Sequence, residues 1–267
     1  MAFIQKLADA IEKEYPKERA DSSWDNTGIL LEFDNTEETV LLCIDLTEEV
    51  VEEALRKNIK TVLAYHPPIF SAIKRITQNN KILHKCINNK ISIYSPHTAF
   101  DGGMNGINHW LSTLIPEAEH ASSSGMVQIY KNKIEIKRIL AALDEHLSLK
   151  TIRYSLGTGH TLDTAPDTLA IGAGASSRVI KRLIPDAEAA GQSQNSLGIS
   201  LVITGEASHH DLLYFKKSGV SAIVLEHSRS ERGFLKKIEE YLKEQLPSTE
   251  IAISEEDRDP VRFYPDE

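Results

Sequence analysis

Cysteine is nearly absent: the 267 residues hold two, Cys43 and Cys86, and neither has a Cys-x-x-Cys partner. That excludes a cysteine-type zinc site and suits a reducing compartment. Both thiols lie among apolar neighbours and are read as inert core residues. Long apolar runs are missing too, none approaching the roughly 20 residues that span a bilayer. The opening segment MAFIQKLADAIEKEYP lacks the apolar core of a signal peptide and the acid-poor, Arg-rich texture of a transit peptide. A soluble, cytoplasmic protein is expected, with a mitochondrial or nuclear pool left open. Positive charge is short: 30 Lys and Arg stand against 39 Asp and Glu, for a net −9. With no long Lys/Arg run, a broad grip on the phosphates of nucleic acid is not expected.

What is present alternates. Helical periodicity covers 3–14 and stops at Pro16. Apolar runs follow at 28–33 and 40–44. EEVVEEALRKN, after Thr47, has acidic residues in its first turn and reads as a helix. TVLAY (61–65) reads as a buried strand, 82–87 as a helix and ISIYS (91–95) as a strand. The alternation returns with LVIT (201–204), a helix over ASHHDLLYFKKSG ending at Gly219, SAIVLE (221–226), and one long helix over ERGFLKKIEEYLKEQL. Such alternation predicts α/β architecture, with mostly parallel sheets covered by helices on both faces. Residues 119–198 differ: SSSG, GTGH and GQSQNS are loop-like, and KNKIEIKRILAALDEHL mixes a strand with a helix. The expectation is two three-layer α/β lobes, an N-terminal lobe over 1–118 and a C-terminal segment over 199–267, around a more irregular central region at 119–198. No internal repeat is evident.

Metal-binding residue types recur where strands end. His66 follows TVLAY, His97 and Asp101 follow ISIYS, and His227 ends SAIVLE with Glu231 four residues on. Open α/β sheets bind ligands outside the carboxyl ends of their strands, so these side chains are candidates to converge. Any one histidine alone is better read as a hydrogen-bonded structural residue; three strand ends together favour a metal. Mixed imidazole and carboxylate donors suit zinc, iron, manganese or nickel, one or two ions per subunit, over magnesium. Asp45, after LLCI, is a further strand-end carboxylate. Trp24, Asp25 and Asn26 are candidates for a cleft wall, with a core anchor the preferred reading of Trp24. IGAGASS (171–177) lacks the GxGxxG spacing and reads as a tight turn rather than a phosphate cradle.

Six segments also carry a resemblance: SWDNTGILLE (23–32), CIDLTEEVVEEAL (43–55), YHPPIF (65–70), YSPHTAFD (94–101), TGEASHHD (204–211) and LEHSRSERGFL (225–235). In these the chain resembles the Nif-three-like family, whose members are also called GTP cyclohydrolase I type-two homologues and dinuclear-metal hexamer proteins. YHPPIF, SPHTAFD and EHSRSERG look most like its eukaryotic branch. The resemblance implies metal ligands at His66, Asp101, His227 and Glu231, with Glu231 bridging two ions. Many bacterial members have two adjacent histidines where this chain has Tyr65 and His66, and a neutral phenol is a poor ligand. One firm ion at His66, His227 and Glu231 is therefore expected, and a weaker one using Asp101 and the shared Glu231. His97 either fills in at the second ion or orients Asp101 through a hydrogen bond. Glu206 and His209 fall in the TGE and HH of the pattern and are candidate catalytic proton-relay residues. The implied activity is metal-dependent hydrolysis of GTP or another nucleotide-like substrate. The alternative is a metal-binding regulatory protein with a partner in transcription. A homo-oligomer is expected, at least a dimer, with a hexamer implied by the resemblance.

Overall fold

The computed structural model describes residues 1–149, 151–184 and 197–264; the run GQSQNS (191–196) lies outside them. Helix α1 (Phe3–Glu14) opens the chain, burying Phe3, Ile4, Leu7 and Ile11 at helical spacing. Strands β1 (Gly28–Leu31) and β2 (Thr39–Cys43), helix α2 (Glu48–Arg56), strand β3 (Thr61–Ala64), helix α3 (Lys81–Asn88) and strand β4 (Ser92–Ser95) follow. Next come α4 (Ile107–Thr113), the hairpin β5 (Glu119–Ser124) and β6 (Val127–Lys131), and α5 (Ile136–Leu147). Then come β7 (Arg153–Ser155), β8 (Thr168–Gly172), α6 (Ser177–Lys181), β9 (Leu201–Thr204), α7 (His209–Lys217), β10 (Ser221–Val224) and α8 (Arg229–Arg232). Helix α9 (Leu235–Gln245) and strand β11 (Glu250–Ile253) close the described chain.

These elements form two compact units. Unit 1 is Met1–Phe100 together with the chain from Phe234 onward; unit 2 is Asp101–Gly233. The units differ from the three segments read in sequence, because β11 pairs with β2 and carries the C-terminal segment back into unit 1. The region expected to be irregular supplies β5, β6, β7 and β8 to the sheet of unit 2.

Unit 1 has the strand order β1-β4-β3-β2-β11 and is parallel except at β1–β4. Alternate residues Leu41, Cys43, Val62, Ala64 and Ile93 pack against Val50, Val51 and Ala54 of α2 and Leu83 and Cys86 of α3. Helices α1 and α9 pack on the same sheet's other side. Burial pushes the Cys86 thiol up to about 12, as befits an inert core residue. Unit 2 has the order β5-β6-β8-β9-β10-β7, and only its central three strands run parallel. It is a mixed sheet rather than the mostly parallel one expected. Val127, Ala170, Val202 and Ala222 meet Ile180 and Phe215 on one face.

A buried carboxylate ties the returning segment down. Glu53 of α2, 1% exposed, is bonded to Lys57 Nζ at 2.7 Å, to Ser254 Oγ, and to the N–H groups of Glu255 and Glu256 at 3.1 and 3.3 Å. Burial alone would raise its pKa, but these donors outweigh it and hold the carboxyl at about 2. Asp257 next accepts the N–H groups of Ile44, at 2.7 Å, and Asp45, at 3.3 Å, beyond the end of β2.

The long C-terminal helix expected from sequence is two helices, α8 and α9, separated at Gly233–Phe234. A Cβ at Gly233 would stand 2.7 Å from the Trp110 ring, so this position admits only glycine without a shift.

A regularity that sequence reading did not find recurs in both units. Val40–His66 and Leu201–His227 align without a gap: apolar strand, carboxylate, capping hydroxyl, nine-residue helix, positive-φ residue, apolar strand, histidine. Thr47 caps α2 by accepting from the Val50 N–H at 3.4 Å, and Ser208 caps α7 by accepting from the Asp211 N–H at 3.1 Å. Asn58 (φ 52°) and Gly219 (φ 71°) turn the chain out of the two helices. The bonds that follow match: Ile59 N–H to Ala54 O at 2.8 Å, Val220 N–H to Phe215 O at 2.9 Å.

Candidate metal centre

In unit 1, the pairing of β3 with β2 continues past the strand, Tyr65 N–H to Cys43 O at 2.9 Å and His66 N–H to Ile44 O at 3.0 Å. This fixes His66 at the carboxyl end of the sheet, and Pro67 ends the ladder because it has no N–H to give. The His66 Nδ1 then meets Asp45 Oδ1 at 2.9 Å. An ionised Asp45 can only accept, so Nδ1–H is the donor of this pair, and it is the neutral imidazole in that tautomer that offers Nε2 to a metal. A cleft of about 560 Å³ opens here, lined by Asp45, Thr47, Glu48, His66, Pro67 and Arg258 among others.

His97 lies just after β4 in the left-handed region, at φ 36°, a conformation a non-glycine residue holds only when its surroundings insist. They do: its Nδ1 bonds Asp25 Oδ1 at 2.6 Å, and the Thr98 N–H and Oγ bond Asp25 Oδ2. Burial pushes against the charged Asp25 carboxylate, whose side chain is 0% exposed, but the bonds from His97 and Thr98 prevail and hold its pKa below the ordinary value. The partner that orients His97 is thus Asp25. The His66 and His97 rings stand edge to face at 5.6 Å. Tyr65 is buried and packs its ring against His66, His97 and Phe100, at 4.9, 5.7 and 6.4 Å between centroids. Trp24, expected in the core, is 47% exposed; the hydrogen bonds of its neighbours Asp25 and Asn26 hold the loop while its ring turns outward.

In unit 2, Leu225 N–H to Thr204 O at 3.0 Å prolongs the pairing of β10 with β9. Glu226 turns the chain with φ 67° and accepts from Arg153 Nε at 2.6 Å. His227 follows, its Nδ1 at 2.9 Å from Glu206 Oε1 and its Nε2 at 3.3 Å from Glu231 Oε1. Glu206 is exposed and Glu231 is 2% exposed. The IGAGASS turn makes room for Glu231. A Cβ at Gly174 (φ 55°) would overlap Glu231 Oε1 and stand 3.3 Å from His227 Nε2. The Gly174 N–H donates to Ser230 Oγ at 2.9 Å and that hydroxyl to His227 O at 2.6 Å, so the turn fixes the His227–Glu231 segment. The Ala173 N–H is used by Asn108 Oδ1 at 2.7 Å. Both N–H groups serve the fold, in keeping with a tight turn.

The donors fit a divalent ion. His66 and His227 each have Nδ1 held by a carboxylate, which leaves Nε2 as donor, and Glu231 is a buried carboxylate oxygen set against His227 Nε2. Asp101, the first residue of unit 2, is half-buried. His209 is exposed at the first turn of α7, and among the described residues its contact is the His210 ring at 5.7 Å; it makes no hydrogen bond to the Glu206–His227 pair. Sequence reasoning placed Gly174 in a tight turn but missed its closeness to Glu231, and it missed Ser230 and Asp257. The glycine pair directly after an apolar run was the only available signal of the first.

A family model described as Duf34/NIF3 (NGG1p interacting factor 3) matches residues 2–260. NIF3-like protein 1 of Drosophila melanogaster is 34% identical over 253 residues, covering 89% of this chain and 82% of that protein. A Clostridium perfringens protein named GTP cyclohydrolase 1 type 2 homolog is 28% identical, over 90% of this chain and 92% of its own. A Staphylococcus aureus protein of solved structure shares the fold, with a TM-score of 0.77 at 20% identity over 97% of this chain and 98% of that one. Among the described residues, no helix is long and apolar enough to cross a membrane.

Proposed function

The chain belongs to the Duf34/NIF3 family, and on that premise we propose that it is a metal-dependent hydrolase in which His66, His227 and Glu231 hold one divalent ion. A second ion uses Asp101 and the shared Glu231. The observation that carries this is the repeated arrangement in which a strand-end histidine gives Nδ1 to a carboxylate, His66 to Asp45 and His227 to Glu206. Bound ions lower the pKa of a coordinated water and stabilise charge developing on the attacked centre. Asp45 and Glu206 keep the imidazoles in one tautomer and orientation, and Glu231 supplies negative charge from a dry position. Glu206, exposed and bonded to His227, is the candidate to pass a proton to solvent. The substrate is nucleotide-like, GTP first among the candidates, and the name of the Clostridium perfringens relative supports it. The subunits assemble at least as dimers, closed symmetric assembly being the common outcome.

The test is turnover of a nucleotide panel with added manganese, zinc or iron, against a Glu231→Ala control. Metal-dependent hydrolysis lost in the control supports the enzyme; equal rates in both, or none with any metal, sink it. The second reading, a metal-binding interaction protein without turnover, is favoured by Tyr65, whose ring is packed among neighbours at a place where an imidazole would serve a second ion. The family description as an interacting factor accords with it.

A further inference from the structure

Trp24 and Phe70 are 47% and 52% exposed, far more than large aromatics in a packed fold usually are. They are not stray. Their centroids are 6.0 Å apart at an interplanar angle of 46°, and each stands edge to face with His97, at 5.8 and 6.2 Å. His97 in turn touches the His66 ring. The loops that present them are braced. Asn26 Nδ2 donates to Ile69 O at 2.6 Å, tying the residues after Trp24 to the residue before Phe70. The buried Asp25 carboxylate ties the same loop to His97 and Thr98. Two rings are therefore held rigidly in water beside a candidate metal ligand, an arrangement that burying them in the core would have made unnecessary.

We propose that Trp24 and Phe70 form an open aromatic corner that takes a planar heterocycle, the base of a nucleotide-like ligand, next to His66. The rings make a corner rather than a slot, so an incoming plane stacks offset on one and meets the other at its edge, the two arrangements aromatic rings favour. The size of the patch selects a small ligand. Half exposed, the pair offers on the order of 200 Å², against the roughly 800 Å² that a stable protein partner covers. Ile73, the nearest large aliphatic side chain exposed after Phe70, lines a cleft with Pro68 and Ile82. The aligned repeat gives the corner a further meaning: Phe70 stands four residues after His66, where unit 2 has Glu231 four residues after His227. The same turn position serves a metal in one unit and a base in the other. The class of ligand rests on the hydrolase proposal; the corner itself does not.

Binding is measured on the full metal-loaded chain by calorimetry, with GTP, uncharged guanosine and inorganic triphosphate as probes. The variants are Trp24→Leu, Phe70→Leu and the double variant, each checked by thermal melting; both side chains are half exposed, so the core is left intact. Expected is a loss of about tenfold in guanosine and GTP affinity per ring, about 1.4 kcal/mol, with triphosphate affinity unchanged. Undiminished guanosine affinity in the double variant overturns the corner, as does failure of guanosine to bind the wild type. A fall in assembly mass by light scattering with guanosine affinity intact also overturns it, by assigning the rings to a second copy of the chain. Hydrolysis is scored separately. Guanosine binding lost in the double variant with no turnover in the wild type keeps the corner and sinks the hydrolase; turnover with an unchanged KM in the double variant does the reverse.

Discussion

Set side by side, the β2-α2-β3 run of unit 1 and the β9-α7-β10 run of unit 2 solve one problem with different letters. Each carries a carboxylate past its first strand, a hydroxyl cap, a nine-residue helix and a histidine 21 residues beyond the carboxylate. The runs diverge after the histidine. Unit 1 continues with Pro67 and Pro68 and turns Phe70 outward, whereas unit 2 enters α8 and buries Glu231. Position is shared, and chemistry is assigned by the four residues that follow. Strand–helix–strand geometry thus delivers an oriented imidazole twice, and the next turn decides what joins it.

The comparison can be broken first at Glu231, which has no acidic counterpart in unit 1. Glu231→Gln keeps size but removes the charge that would offset the proposed pair of dications, so metal affinity measured by equilibrium dialysis should fall by more than the roughly 10–100-fold that follows loss of a partner behind a ligand. Unchanged metal content by elemental analysis would strip unit 2 of its special role. Next is the buried anchor of unit 1. Glu53→Ala strands Lys57 and the N–H groups of Glu255 and Glu256, and should cost roughly 3 kcal/mol in urea unfolding at pH 7. The folded pKa of Glu53, about 2, lies below the ordinary 4.5. Its contribution is therefore fully present above about pH 4.5 and lost as pH falls towards 2. Glu53→Gln should flatten that limb of the pH–stability curve; an unchanged limb would assign it to other carboxylates.

A matched pair sharpens the likeness. Asp45→Asn and Glu206→Gln each remove the anion behind a histidine and should each weaken metal binding by about 10-fold or more. Chelator competition showing one effect without the other would mean that only one histidine is a ligand. Tyr65→His should tighten the second ion in the same titration, and no change would leave that position outside the site. The smallest effects are the caps: Thr47→Ala and Ser208→Ala should each cost about 1 kcal/mol by thermal melting. Ser208 should cost more, because its contact is shorter and Asp211 Oδ2 takes its hydroxyl at 2.7 Å.

Much of this was legible because periodicity is strong where strands are fully buried. LVIT, SAIVLE and TVLAY announce themselves, and a histidine directly after each of the last two could be picked out. What was hidden depends on long-range pairing. Strand β5, EHASSS, has no apolar face to betray it, and β11 is a strand because β2 has a free edge to offer. Asp25 was placed near a cleft, but its bond to His97 spans 72 residues and leaves no local trace. The repeat escaped for a different reason: aspartate answers glutamate, threonine answers serine and asparagine answers glycine, so physical role persists where letters do not.

The pairing of β11 with β2 also sets a timetable. Ile44 leaves the ribosome 213 residues before Asp257, whose carboxylate will take its N–H. At roughly 5–20 residues per second that is a delay of about 10–40 s. Throughout it, β2 presents an unpaired edge in an apolar strand, the kind of template that recruits other chains. Unit 2, continuous in sequence, can finish in the meantime. The nascent chain is then a completed unit attached to an unfinished sheet, and its need for a chaperone should centre on Val40–Cys43 until the last strand arrives.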